Sequence, residues 1–97
     1  MIGIENIKLA IIAIVAIVNN IKLTGRPLAG VLLSLGKVMN IKFKLIKQEI
    51  KDIDTKERGE LLDLIVRQGF SLAKAENVLK AIGEGQRFGG IAKELLK

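Results

Sequence analysis

Ten consecutive apolar residues, Leu9–Val18 (LAIIAIVAIV), constrain this chain more than any other feature. As a helix the run would be about 15 Å long, half of the ~30 Å hydrocarbon core of a bilayer. Extension backwards admits Glu5, Asn6 and Lys8, and extension forwards meets Asn19, Asn20 and Lys22. A secretory leader suits it poorly, because Glu5 opposes a basic n-region and Asn19-Asn20-Ile21-Lys22 is no small-residue cleavage site. A buried core or interface helix fits these flanks best, ahead of a helix lying in or re-entering a membrane, with a full span third.

The stripe Ile4, Ile7, Ile11, Ile14, Val18 and Ile21 follows 3-4-3-4-3 spacing, the pattern of a helix–helix seam. The opposite face still carries Ile12, Val15 and Ala16. A helix that is apolar all round is buried all round, and a chain of 97 residues does not easily enclose one completely. The excess apolar face therefore predicts a partner: another copy, another protein or lipid. Residues 1–24 are expected as an apolar helix or arm joined to a helical body over 25–97, with a single domain overall.

The composition narrows the chemistry. With no Cys there is no disulfide framework or thiolate zinc site, and with no His the imidazole-based triads and metal clusters are gone. A 49% apolar content is too high for a disordered chain. The net charge of +6 sits in one half: residues 1–47 carry seven bases against Glu5 alone, whereas residues 48–97 carry nine bases and nine acids. A basic, apolar half points to an anionic surface, nucleic acid or lipid headgroups. The spread of the lysines suits plain solubility charge better.

The spacing predicts further helices. Asn19–Arg26 reads as a break, with Pro27 as the first residue of a second helix and Thr24 or Gly25 near its cap. Leu28, Val31, Leu32, Leu35, Val38 and Met39 are amphipathic, Gly30 and Ser34 form a small-xxx-small pair, and Gly36 marks the frayed end. Ile41, Phe43 and Leu45 alternate like a strand, but the longer set Phe43, Ile46, Ile50, Ile53 predicts a separate helix over about 41–51. Asp54 with Glu57 forms a capping box for a helix running to Gln68, Gly69 is its C′ glycine, and Ser71 caps the next helix, with Phe70 as a staple. Gly83-Glu84-Gly85 stops that helix, and Gly89-Gly90 delays the last short one.

Three places resemble sites only superficially. Asp52-x-Asp54 fails the calcium-loop template at Lys56 and Glu57, and capping explains it better. Gly83, Gly85, Gly89 and Gly90 with Arg87 lack both the preceding strand and the motif of a phosphate loop, so they read as a helix break and hinge. The carboxylates Glu57, Glu60 and Asp63 form a solvated helix face. For nucleic acid, Phe43, Phe70 and Phe88 sit at core or staple positions, and the 72–82 helix offers only Lys74 and Lys80 to a groove. Only non-specific phosphate contact remains.

The features Asn20-Ile21-Lys22-Leu23-Thr24, Leu28–Val38 and Asp54-x-x-Glu57-Arg58-x-x-Leu61 recur in order over about residues 19–82. In this respect the chain resembles small α-helical proteins of phages and prophages, departing from them at Gly59 and at the glycine-rich 83–90 stretch. The resemblance implies a phage structural or assembly context and supplies no catalytic residues.

The expected fold is thus all-α, a small bundle of four or five helices with a strongly apolar N-terminal helix. The expected function is that of a non-enzymatic structural or assembly protein, a component of a virion or similar complex, in the particle or the cytoplasm. It would oligomerise, or join other structural proteins, through Ile4, Ile7, Ile11, Ile14, Val18, Gly30 and Ser34. The alternative is a small membrane-interacting protein that places Lys22, Arg26, Lys37, Lys42 and Lys44 on anionic headgroups. No catalytic group, metal, cofactor or small-molecule substrate is expected.

Overall fold

Five helices account for almost all of the residues, 4–97, that the computed structural model describes: α1 (Ile4–Thr24), α2 (Leu28–Asp52), α3 (Thr55–Arg67), α4 (Leu72–Gly83) and α5 (Phe88–Leu96). There is no strand among the described residues, and the fold is a small all-α bundle. Residues 1–3 of the expected arm lie outside the described residues.

The 3-4 ladder of α1 decides the packing. Ile7, Ile11, Ile14, Val18 and Ile21 are buried together with Ala10 and Val15, and Ile4 is half-buried against them. Their cover comes from the same chain, since α1 packs on α2, α3 and α5. Each such side chain contributes about 1.5–3 kcal/mol by leaving water, so α1 is an integral wall of the bundle and not an arm. The expectation that this seam meets another subunit is corrected accordingly. Ile7, Ile11, Ile14 and Val18 are 0–1% exposed and present nothing to a partner.

The break after α1 is shorter than the asparagines suggest. Asn19 and Asn20 stay inside the helix, and Thr24 Oγ1 donates to the Asn20 carbonyl at 2.7 Å. Gly25 then turns the chain at φ +68°, its N–H bonded to the Ile21 carbonyl at 2.9 Å. Only the left-handed region closes a helix this way, and glycine enters it without a Cβ penalty. Pro27 is the N-cap of α2 and not its first residue, so the helix begins one residue later than expected.

α2 runs unbroken for 25 residues, which corrects the expected division at Gly36 and the separate 41–51 helix. A glycine inside a helix costs about 1 kcal/mol. The inward ladder Val31, Met39, Phe43, Ile46 and Ile50 continues past Gly36 in one register, and the burial of those side chains outweighs that cost.

The remaining ends follow local chemistry. Asp54 Oδ1 accepts from the Glu57 N–H at 2.7 Å while Glu57 Oε1 accepts from the Asp54 N–H at 3.3 Å, completing the capping box. Gly69 turns at φ +101°, Ser71 Oγ accepts from the Lys74 N–H at 3.1 Å, and Gly85 closes α4 at φ +84°. Gly89 and Gly90 do not delay α5; they lie in its first turn. A Cβ on Gly89 would come within 3.1 Å of Leu32 Cδ2, and one on Gly90 within 2.7 Å of Gln86 Oε1. Their missing side chains let the start of α5 approach α2 and fold the preceding turn against it.

Candidate interaction surface

The core uses only part of what is apolar. Eight of the ten exposed large aliphatic side chains belong to α1 and α2: Leu9, Ile12, Leu23, Leu33, Leu35, Val38, Ile41 and Leu45. Two of the sets are ladders in their own right. On α1, Leu9, Ile12 and Ala16 are spaced 3-4 and all exposed; on α2, Ser34, Val38, Ile41 and Leu45 are spaced 4-3-4 and all exposed. Each helix therefore carries one apolar stripe for the core and a second for the outside.

α1 and α2 pack side by side, and their outer stripes meet along the junction. Leu9 and Leu45 line one shallow cleft with Asn6, Ala10, Lys42 and Ile46. Ala16, Ile17 and Asn20 line another with Ser34, Leu35 and Arg26. The result is an apolar surface that crosses the helix pair, and its aliphatic side chains stay exposed among the described residues.

The expected interface residues thus divide. Ile7, Ile11, Ile14 and Val18 are core, and Ile4 packs at the edge of the core. Gly30 and Ser34 are exposed on α2. A Cβ on Gly30 would touch nothing within 4 Å, and Ser34 Oγ donates to the Val31 carbonyl of its own helix at 3.2 Å. The outer stripe of α2 is hidden in the sequence because Val38 reads as part of the 28–39 amphipathic set, while Ile41 and Leu45 read as a strand-like alternation with Phe43. In one continuous helix, 38-41-45 and 39-43-46-50 are two separate faces.

The expected basic contacts also divide. Lys22 Nζ lies 4.7 Å from the centroid of the Phe70 ring, which Lys74 Nζ approaches at 5.9 Å, so Lys22 ties α1 to the α3–α4 turn by a cation–π contact. Arg26 and Lys42 border the apolar surface. Lys37 and Lys44 lie on the other flank of α2, in a cleft shared with Lys47 and Arg87. Phe43, Phe70 and Phe88 are all buried, leaving no aromatic platform for bases.

Electrostatic coupling is confined to the surface. Lys8 Nζ stands 3.3 Å from Glu60 Oε2 and 3.6 Å from Glu5 Oε1, joining α1 to α3. The hydrogen bond to Glu60 outweighs the opposing effect of desolvation and, with the charges of Glu5 and Glu60, raises the Lys8 pKa above its ordinary 10.5. Among the described residues no group of three or more acidic, His or Cys side chains is gathered to hold a metal ion.

Among the described residues, the fold and this surface define the chain as an all-α five-helix bundle with an exposed two-helix apolar face. No protein-family model, no curated protein and no solved structure matches it.

Proposed function

We propose that this chain is a non-enzymatic assembly protein that joins a second copy of itself through the outer α1–α2 face. The carrying observation is the run of exposed aliphatics, Leu9 and Ile12 on α1 beside Leu35, Val38, Ile41 and Leu45 on α2. Two helices about 30 Å long and about 20 Å across together offer roughly 600 Å² of face. A standard stable interface takes about 800 Å² from each partner, so flanking side chains need add only a modest rim. Gly30 and Ser34 border this face as small residues, which lets a second helix approach the α2 backbone. The resemblance to phage proteins supports a virion, or a similar repeating particle, as the setting.

Size-exclusion chromatography with light scattering on detergent-free protein tests this. The expected mass is that of a dimer or larger species, falling to about 10.6 kDa on dilution. A strict monomer at high micromolar concentration would sink the idea.

A second reading is supported by Lys42, which stands beside Leu9 and Leu45, and by Arg26 at the other end of the face. A long basic side chain can lay its stem on apolar surface and lift its charge to a headgroup. α1 is also long and apolar enough, by length and composition, to cross a bilayer, although its inner stripe is buried in the bundle. Under this reading the same face rests on an anionic membrane. Flotation with phosphatidylglycerol vesicles separates the two, since a self-assembling protein stays in the soluble fraction.

A further inference from the structure

We infer that the cleft between α2 and the α4–α5 turn is a binding site for phosphate groups. On α2, Lys37, Asn40, Lys44 and Lys47 follow 3-4-3 spacing and line one side of the cleft over about 15 Å of helix. The α4–α5 turn supplies the other side with Gly85 and Arg87, and the space between is about 560 Å³. The glycines around Arg87 lack the motif of a phosphate loop, and it is the fold that brings Arg87 to three lysines lying 40 or more residues earlier.

No carboxylate lines the cleft. The ion pairs among the described residues engage Lys8, Arg67 and Lys97, and none engages these four cations. Four like charges are thus held around one concavity without a counter-charge, which focuses positive potential there. Asn40 also lines the cleft, and its Oδ1 accepts the Phe88 N–H at 2.7 Å, which ties the start of α5 to the α2 wall. Gly85, at φ +84°, leaves room for Lys47, whose Nζ would lie 3.1 Å from a Cβ at that position. α5 begins at the same place, and the positive end of its dipole reinforces the field.

Ile41 and Phe43 contribute apolar lining, and the charged groups around the cleft are all cationic, which selects an anion. Lys44 and Lys47 stand one helical turn apart and Lys37 two turns before Lys44, about 10 Å along the axis. Cations spread over that length suit a ligand with several phosphates better than a single carboxylate. Arg87 supplies the planar fork that grips phosphate oxygens in pairs, and the lysines act as point charges. The phosphates can belong to a soluble polyphosphate or to clustered lipid headgroups.

The test titrates inorganic triphosphate into the isotope-labelled full chain at low ionic strength, followed by amide NMR. The expected shifts are confined to residues 37–47 and 85–90. Lys44→Gln with Arg87→Gln should weaken binding at least ~10-fold, while Lys56→Gln with Lys93→Gln, removing equal charge elsewhere, should change it by less than about 2-fold. Spectra of both double variants report whether the fold is kept. Equal losses in the two variants, or shifts spread over all surface lysines, would overturn the site in favour of general charge attraction. Phosphatidylglycerol vesicles distinguish the sources: flotation lost with Lys44→Gln and Arg87→Gln assigns the site to headgroups, and triphosphate binding without flotation assigns it to a soluble ligand. Binding of duplex DNA without either would overturn the assignment and make the surface a nucleic-acid contact.

Discussion

The backbone N–H of Phe88 donates to Asn40 Oδ1 at 2.7 Å, across 48 residues of sequence. Phe88 is the first residue of α5 and is fully buried, while Asn40 lies midway along α2. One side chain therefore caps a helix that its own helix supports, since α5 opens with Arg87 at the N-cap and no local side-chain cap. Replacing Asn40 by Leu leaves a part-buried N–H without an acceptor, a loss of about 1–3 kcal/mol. Urea denaturation should show that loss for Asn40→Leu and a much smaller one for Asn40→Asp, which keeps the acceptor oxygen. Equal losses would mean that the amide packs rather than caps.

Gly36 and Gly69 should respond in opposite directions to alanine. A Cβ on Gly36 meets nothing within 4 Å, and the backbone there is helical. Gly36→Ala should raise stability by about 0.5–1 kcal/mol through restricted freedom of the unfolded chain and better helix propensity. Space is equally open at Gly69, but its φ of +101° strains any L side chain. Gly69→Ala should lower stability by about 1 kcal/mol or more, and thermal unfolding of the two variants provides the comparison.

The ion pair between α1 and α3 should disappear at alkaline pH. Hydrogen bonding to Glu60 raises the Lys8 pKa in the folded chain above 10.5, so the native state holds that proton more tightly than the unfolded state. The contribution is then complete below 10.5 and is lost as the pH rises through the raised native value. Glu60→Gln should show a small, constant decrease in Tm from about pH 6 to about pH 9, and the gap to the parent should close by about pH 12. A gap that persists at the alkaline end would assign the effect to packing of Glu60.

Local chemistry was the legible part of the sequence. The Asp54–Glu57 box, the Gly69 and Gly85 turns and the Ser71 cap each need only residues within one helical turn, and each forms as its spacing dictates. Where two demands share one helix, the pattern misleads. Ile41, Phe43 and Leu45 alternate because 41 and 45 belong to the outer stripe and 43 to the inner one, so two helical ladders mimic a strand. The seam of α1 showed that Ile11, Ile14 and Val18 need cover, but periodicity does not state whose side chains give it; α2, α3 and α5 do. The cleft with Arg87 was hidden for the same reason. Its members share a place only after α5 folds back onto α2.

The two ladders of α2 supply a paired test of what the outer face is for. Leu45 is 58% exposed and Ile41 62% exposed, whereas Phe43, between them, is 1% exposed. Leu45→Glu with Ile41→Glu changes groups that already meet water, so the fold should keep its stability to within about 0.5 kcal/mol per site. The same change places two carboxylates in the centre of the proposed contact, and light scattering should show the mass falling to the monomer. Phe43→Ala empties a core position and should cost about 3–5 kcal/mol, a large share of the roughly 5–15 kcal/mol that holds a domain of this size. Unfolding by the outer pair would assign Ile41 and Leu45 to the core, and an unchanged oligomer would remove the α1–α2 face from the assembly contact.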